Sequence, residues 1–116
     1  MRPWQVATGA ANIYIVTGYN DMRKSKDGLC AIVMDHLKEE PDTHSIYLFC
    51  GKRCYRLKIL LREPDGYVLL MERLDVVHGK YRWPRKHSEV NPITWQQFDW
   101  LMSGLEIEQP KSLRTA

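Results

Sequence analysis

The sequence predicts an α+β fold, in which a mostly antiparallel sheet of about four or five strands carries two amphipathic helices packed on one face. The first observation behind this prediction is a set of short apolar runs, rich in β-branched and aromatic residues and separated by turn residues. The second is a pair of stretches whose apolar residues recur with helical spacing. The third is their order along the 116 residues: strand, helix, several strands joined by short turns, and a final helix.

A β-hairpin is the clearest element, and Pro64-Asp65-Gly66 forms its turn. Pro presets φ, Asp bonds nearby backbone, and Gly is expected to supply a positive φ. If Arg62 lies opposite Tyr67, side-chain alternation gives the hairpin one apolar and one basic face. The apolar face carries Leu57, Ile59, Leu61, Val68 and Leu70. The basic face, which stays open to water if both helices cover the apolar one, carries Arg56, Lys58, Arg62 and Arg73 among Leu60, Tyr67, Leu69 and Met71.

The other strands are signalled more briefly. Residues 13–17 and residues 46–50 are short apolar runs of the kind found in strands. Residues 80–83 can form one further short strand, which Pro84 would end.

The first helix has two possible starting points. It begins near Met22, or nearer Asp27 if Gly28 interrupts it, and it ends before Pro41 because the residue before a proline is pushed out of the α region. Its apolar stripe is Leu29, Ile32, Val33 and Leu37.

The second helix has the strongest end signals. Thr94 and Gln97 have the spacing of a capping box, in which each side chain bonds the backbone N–H of the other residue. Ile93 and Phe98 are placed to form a hydrophobic staple, and Gly104 is available to end the helix.

One domain is expected over residues 13–108, with a loose lead-in at residues 1–12 and a flexible basic tail at residues 109–116. The N-terminus does not resemble a signal peptide, and no apolar run approaches the roughly 20 residues of a membrane span. Three cysteines, an odd number, indicate reduced thiols. A cytoplasmic protein without membrane contact is therefore predicted.

A metal site is only hinted at. Cys50 and Cys54, with His44 nearby in sequence, are the residue types that bind zinc. Structural zinc sites need four ligands, and a second pair is missing, whereas strand-end thiols are common small core residues. We therefore predict no metal and no cofactor.

Catalysis has equally little support. Asp21, Asp27 and Asp65 are the carboxylates that a metal-dependent nuclease would use, but each also suits a helix cap, a first helical turn or a β-turn. The sequence contains no glycine-rich phosphate loop and no nucleophile elbow. We therefore predict that the protein is not an enzyme.

Clustered basic residues carry the main functional signal, because a net charge of +3, from 17 Lys and Arg against 14 Asp and Glu, is only mildly basic. Interleaved with tyrosines and tryptophans, such residues can bind phosphates and stack on bases. The alternative is that they only keep exposed strands soluble and guard sheet edges. The candidate nucleic-acid-binding residues are Arg23, Lys24, Lys52, Arg53, Arg56, Lys58, Arg73 and Arg82.

Three blocks of sequence resemble the TnpB-type accessory proteins encoded by the second reading frame of bacterial insertion sequences of the "family sixty-six" group. These differ from the much larger RNA-guided nuclease that shares the TnpB label. The blocks are residues 14–24 with 27–29; residues 48–53 with Arg56, Lys58, Gly66, Leu69, Arg73 and Leu74; and residues 83–85 with Thr94, 100–102, 104–105 and 107–109.

The resemblance implies a role in DNA transposition, as a helper to a separately encoded transposase and a second accessory protein of the same element. It implies neither a catalytic activity nor a mapped site. Two hypotheses follow. The protein binds DNA at the element ends through its basic face, or it is an adaptor that contacts the transposase through the same face and never touches DNA.

Overall fold

A five-stranded mixed sheet forms the centre of the protein in the computed structural model, which describes residues 12–38, 43–73, 81–85 and 89–108. The strands are β1 (Asn12–Val16), β2 (Ser45–Cys50), β3 (Arg56–Glu63), β4 (Gly66–Arg73) and β5 (Val90–Ile93). The helices are α1 (Lys26–Leu37) and α2 (Trp95–Met102). The predicted tail and all of the predicted lead-in except Asn12 lie outside the described residues.

The strand order across the sheet is β4-β3-β2-β1-β5. β1 and β2 are parallel, with α1 in the crossover between them, and the other neighbouring pairs are antiparallel. The predicted α+β fold with a mostly antiparallel sheet is therefore confirmed. Because β1 and β2 run in the same direction, the loops that follow them emerge at the same end of the sheet.

The β3–β4 hairpin has the predicted register, with Arg62 opposite Tyr67 and Glu63 opposite Gly66. Pro64 and Asp65 alone make the turn. Gly66 is already paired in β4 and does not have a positive φ, so the expectation of a left-handed glycine in this turn is wrong.

The two helices lie on opposite faces of the sheet, so the prediction that both cover one face is wrong. Phe98 of α2 packs in one cluster with Ile59 of β3. Leu29 and Val33 of α1 pack in a second cluster with Leu60, which belongs to the face that was expected to stay open. Leu60 has no exposed surface.

The central strand explains this two-sided arrangement. Every residue of β2 is buried, with Ile46 and Leu48 in the α2 cluster and Tyr47 and Phe49 in the α1 cluster. Burying each large apolar side chain contributes about 1.5–3 kcal/mol, so a bare second face would forfeit much of the stability of the fold. An uninterrupted apolar run is the usual mark of a strand covered on both faces.

α1 begins at Lys26, close to the later of the two predicted starts, and Gly28 lies within its first turn without interrupting it. It ends at Leu37, before the predicted limit at Pro41. Lys38 adopts a left-handed conformation (φ 60°) and donates its backbone N–H to the carbonyl oxygen of Met34. This residue closes the helix in place of a glycine.

Both predicted end signals of α2 are confirmed. The Thr94 hydroxyl accepts a hydrogen bond from the Gln97 backbone N–H, and the Gln97 side chain accepts one from the Thr94 N–H. Gly104 has φ 82°, and the Leu105 N–H donates to the carbonyl oxygen of Trp100 at 2.8 Å. This is a glycine-terminated Schellman ending.

Residues 81–85 do not form the predicted short strand; Lys80 lies outside the described residues. They are irregular but firmly held, because the indole nitrogen of buried Trp83 donates to the carbonyl oxygen of Val16 at 3.0 Å. The fifth strand is instead β5, an edge strand that contains Pro92. Proline is tolerated there because an edge strand has one side without ladder hydrogen bonds.

Candidate functional site

The candidate site lies where the parallel strands β1 and β2 end. The loop before α1 and the loop between β2 and β3 both emerge there, and the Asn20 N–H joins them by donating to the carbonyl oxygen of Cys50 at 2.9 Å. β3 begins and β4 ends at the same place, since Arg56 and Arg73 are paired. Residues 81–85 also reach it, with the Tyr81 N–H donating to the carbonyl oxygen of Cys54 at 2.6 Å.

These five segments carry seven of the eight candidate basic residues, and the side chains of all seven are exposed. We call this region the basic end: Arg23, Lys24, Lys52, Arg53, Arg56, Arg73 and Arg82. The residues come from chain segments far apart in sequence. The parallel pairing of β1 with β2, the hairpin register and the hydrogen bond from Tyr81 to Cys54 bring them together.

Lys58, the eighth candidate, lies inside the fold. Its side chain is 7% exposed, and its Nζ donates to the backbone carbonyl oxygen of Lys24 at 2.7 Å. The expectation that it faces water is wrong, because α1 and the preceding loop cover this part of β3. Lys58 ties the loop before α1 to the sheet, and we assign it to the fold rather than to the candidate interface.

Tyr55 organises two of the arginines. Its half-buried ring has the Arg56 guanidinium carbon 5.5 Å from its centroid and the Arg73 guanidinium carbon at 5.4 Å. Both distances are within the range of cation–π attraction. The ring therefore favours placing two like charges side by side, where directly opposed cations on neighbouring strands would otherwise repel.

Arg23 is partly neutralised by its own loop. Its guanidinium donates to both carboxylate oxygens of Asp21, at 3.0 and 2.9 Å, and its backbone N–H also donates to Asp21. The side-chain hydrogen bonds, followed by the backbone one, lower the pKa of Asp21 to about 2. Asp21 therefore keeps its charge at all physiological pH values.

The other cations of the basic end lie outside the ion pairs that are formed within residues 12–38, 43–73, 81–85 and 89–108. Among the described residues, the ion pairs are Arg23–Asp21, Lys26–Asp27 and Lys38–Asp35. None of these involves Lys52, Arg53, Arg56, Arg73 or Arg82. The basic end therefore presents a net positive surface to solvent.

A cleft of about 310 Å³ opens between the two loops at the basic end. There the two loops approach each other closely, which requires glycine at position 51, because a Cβ added at this position would lie 2.5 Å from Cγ of Met22. We call it the loop cleft. It is lined by Asn20, Asp21, Met22, Arg23, Gly51, Lys52, Arg53, Cys54, Tyr55 and Arg56.

Sequence reasoning missed some of the residues that shape this end. Tyr55 belongs to the aromatic residues noted between the basic ones, but it was not selected as a site residue. Arg85 was not selected either, and its guanidinium carbon lies 5.7 Å from the ring centroid of exposed Tyr19. The contact of Met22 with Gly51 had no signal in the sequence, because it joins two loops across the fold.

The cysteines have structural positions. Cys50 and Cys54 are buried, and their thiols donate to the carbonyl oxygens of Arg56 and Gly51, each at 3.3 Å. Burial raises the pKa of the Cys50 thiol, so it stays protonated. His44 precedes β2, at the opposite end of that strand from Cys50. The described residues contain no group of three or more metal-binding side chains.

The acidic residues considered for catalysis do not meet. Asp21 is paired with Arg23, and Asp27 with Lys26 at 2.6 Å. Asp65 lies in the β3–β4 turn, at the end of the sheet opposite the basic end. These carboxylates therefore do not form one metal site.

Fold and site together define a small α+β protein with a mixed five-stranded sheet and exposed cations gathered at one end of it. The family described as IS66 Orf2 like protein matches residues 11–112, and this chain belongs to that family. Membership confirms the resemblance noted from the sequence and gives the chain an accessory role in transposition.

Two relatives come from Sinorhizobium fredii. The chain is 29% identical to the uncharacterized protein y4hO over 99 aligned residues. This aligned region covers 85% of the present chain and 84% of y4hO. The chain is also 29% identical over 99 residues to the uncharacterized protein y4jC, with 85% and 83% covered. No solved structure matches the chain at a significant level. Within the described residues, neither helix is long and apolar enough to cross a membrane.

Proposed function

We propose that the protein is a non-catalytic accessory protein of transposition that binds the phosphate backbone of DNA through its basic end. The observation that carries this proposal is the exposure of Lys52, Arg53, Arg56, Arg73 and Arg82 at one end of the sheet, with none of them in an ion pair among the described residues. Uncompensated cations on one surface are the electrostatic footprint of nucleic-acid binding.

Such a surface positions the protein on the DNA duplex and does not read the base sequence. Contacts to phosphates fix the orientation of a protein on the duplex, whereas base edges carry the sequence information. Arg56 and Arg73, held beside each other by Tyr55, form a preorganised pair for this purpose. The protein would thus hold or shape the ends of the element for the transposase, whose own contacts would select the sequence.

The test is a fluorescence anisotropy titration of full-length protein with a duplex from the ends of the element and with a scrambled duplex of equal length. If about five cations each neutralise one phosphate, log K is expected to fall with log salt at a slope of about −4.5. Affinity would then drop about 500-fold between about 50 and about 200 mM salt. Absence of binding at tens of micromolar and low salt would overturn the proposal, since that is the ordinary range of non-specific affinity.

The adaptor hypothesis has more support at the edge strand β4 than on the basic face of the hairpin, where it was first placed. Leu60 of the hairpin is buried and Leu69 is half-buried, so the predicted face offers less apolar surface than expected. Among the strands that the structure describes, however, β4 is the last of the sheet on its side, and Val68 and Met71 on it are 39% and 56% exposed. An edge strand of this length can pair with an extended segment of another protein.

Met71→Lys separates the two functions, because a lysine on an edge strand discourages strand pairing and adds no negative charge near the basic end. If the adaptor function operates through β4, co-purification with the transposase of the same element is lost while DNA affinity is kept. If transposase binding survives this variant but is lost in Arg56→Glu, the contact lies at the basic end instead.

A further inference from the structure

The loop cleft has the size and the position of a ligand site. Its volume of about 310 Å³ is at the lower end of the range for pockets that take a small ligand, which is about 300–1,000 Å³. It lies beyond the carboxyl ends of the parallel pair β1 and β2. Crevices at the carboxyl ends of parallel strands are where open sheets with helices commonly bind ligands.

The walls of the cleft combine flat, apolar and cationic groups. The Tyr55 ring and the Met22 side chain line it, and Gly51 contributes bare backbone. Lys52 and Arg53 stand at the same cleft with exposed side chains. Stacking surfaces beside cations are the elements with which proteins hold single-stranded nucleic acid, and arginine planes stack on bases as aromatic rings do. Binding the outside of a duplex by its phosphates alone needs no such recess.

One polar atom of a residue that lines the cleft also lacks a hydrogen-bond partner in the described part of the chain. The side-chain amide nitrogen of Asn20 is buried and has no hydrogen-bond partner among the described residues. A buried donor left unpaired is unfavourable, and an acceptor on a bound molecule would relieve it once a small rotation of the Asn20 side chain exposes the nitrogen to the cleft. The edge of a nucleobase offers such acceptors.

We infer that the loop cleft accepts one unpaired nucleotide of a DNA end, with the base against Tyr55 and Met22 and the phosphate beside Lys52 and Arg53. This inference rests on the proposed DNA-binding function and adds a preference to it. The protein distinguishes a frayed or single-stranded end from continuous duplex. In transposition, this would direct it to DNA ends rather than to the interior of the element.

The experiment compares a flush duplex with the same duplex carrying a single-stranded extension of about five nucleotides, at one fixed salt concentration. Full-length protein is titrated into each, labelled for fluorescence anisotropy. Because stacking one base on an aromatic ring is worth about 5- to 150-fold in affinity, the extended duplex is expected to bind at least about fivefold more tightly. The quantity reported is the ratio of the two affinities, which cancels general effects on the basic end.

Tyr55→Leu removes the flat ring and is expected to bring that ratio close to one. Tyr19→Leu is the matched control, since Tyr19 is an exposed aromatic residue beside Arg85 that does not line the cleft. Asn20→Leu is a second variant, in case Tyr55→Leu fails to fold, and should also lower the ratio. Thermal unfolding curves establish that each variant is folded.

The outcomes are distinguishable. A ratio that falls in Tyr55→Leu and stays in Tyr19→Leu supports the cleft as the nucleotide site. Equal affinity of the unmodified protein for both DNAs overturns the inference and leaves the proposed function standing. A preference that persists in both Tyr55→Leu and Asn20→Leu also overturns it. Absence of binding to either DNA overturns the proposed function itself.

Discussion

The two ends of the sheet are built on opposite principles. At the basic end, Arg53, Arg56 and Arg73 are exposed and take part in none of the ion pairs among the described residues. At the other end, which we call the turn end, Pro64 and Asp65 join Glu63 of β3 to Gly66 of β4. Arg62 there is half-buried and donates to the carbonyl oxygen of Gly66 at 3.2 Å.

The turn end also carries its own acidic residues, Glu63 and Asp65, whereas the basic end has an excess of cations. Arg62 at the turn end is bound by the fold itself, whereas the cations of the basic end other than Arg23 are in none of the ion pairs among the described residues. The location of basic residues in the sequence does not distinguish these cases. Their neighbours in the folded chain do.

The largest expected effect tests whether α1 covers the second face, since only then are the cations confined to an end. Leu60→Ala should lower the free energy of unfolding by about 2–5 kcal/mol, because it leaves a cavity between β3 and α1. Met71→Ala, on the same face but 56% exposed, should change it by no more than about 0.5 kcal/mol. Urea denaturation measures both. Similar small losses in the two variants would mean that this face is open.

The next effect is the change in DNA affinity when a charge is reversed inside or outside the basic end. Arg56→Glu and Arg73→Glu should each lower duplex affinity about tenfold and together about 100-fold, because each removes a phosphate contact and adds repulsion. Lys38→Glu makes the same charge change outside the basic end, on an exposed residue that closes α1, and should alter affinity no more than about twofold. Equal losses in Arg56→Glu and Lys38→Glu would show that only total charge matters.

Lys58 and Arg53 should separate stability from binding. Lys58→Met leaves the Lys24 carbonyl oxygen without its charged donor and should lower the free energy of unfolding by about 1–3 kcal/mol. Arg53→Met should leave stability nearly unchanged and make the salt slope of DNA binding shallower by about one. Urea denaturation and anisotropy on the same two variants give both quantities. A reduced salt slope in folded Lys58→Met would show that Lys58 contacts DNA and belongs to the interface.

The smallest effect is the pH dependence of the Arg23–Asp21 pair. The folded pKa of Asp21, about 2, lies below its ordinary value of 3.8. The unfolded chain therefore binds the proton first, and the contribution of the pair to stability is present above about pH 4 and lost as the pH falls towards about 2. Side-chain carboxyl titration by NMR should give a midpoint near 2 that rises part of the way towards the ordinary value in Arg23→Gln, which removes the guanidinium but keeps the backbone N–H donor. An unshifted midpoint in the unmodified protein would rule out the pair in solution.

Local interactions explain which structural features could be predicted from the sequence. The hairpin register follows from a two-residue turn between alternating strands, and the ends of α2 follow from Thr94, Gln97 and Gly104. Each of these features depends on residues a few positions apart. The family could also be recognised, because its blocks extend over most of the chain.

The candidate site could be predicted only as a set of residue types. Seven of the eight selected cations are exposed at the basic end, whereas the predicted interface was a hairpin face to which only Arg56 and Arg73 of the seven were assigned. Lys58 was misplaced because its hydrogen-bond partner, the Lys24 carbonyl oxygen, is 34 positions away in sequence. Tyr55 was passed over because its two guanidinium neighbours include Arg73, which reaches it only through the paired strands.

The sequence by itself determined the family, the class of fold, the hairpin register and the capped second helix, because short-range backbone and side-chain contacts suffice for these. Tertiary structure alone decided that α1 and α2 lie on opposite faces, that Lys58 is buried, and that the remaining cations meet beside a cleft at one end. The physical reason is that burial and charge compensation depend on which distant segments pack together. In this protein, the parallel pairing of β1 with β2 sets that arrangement.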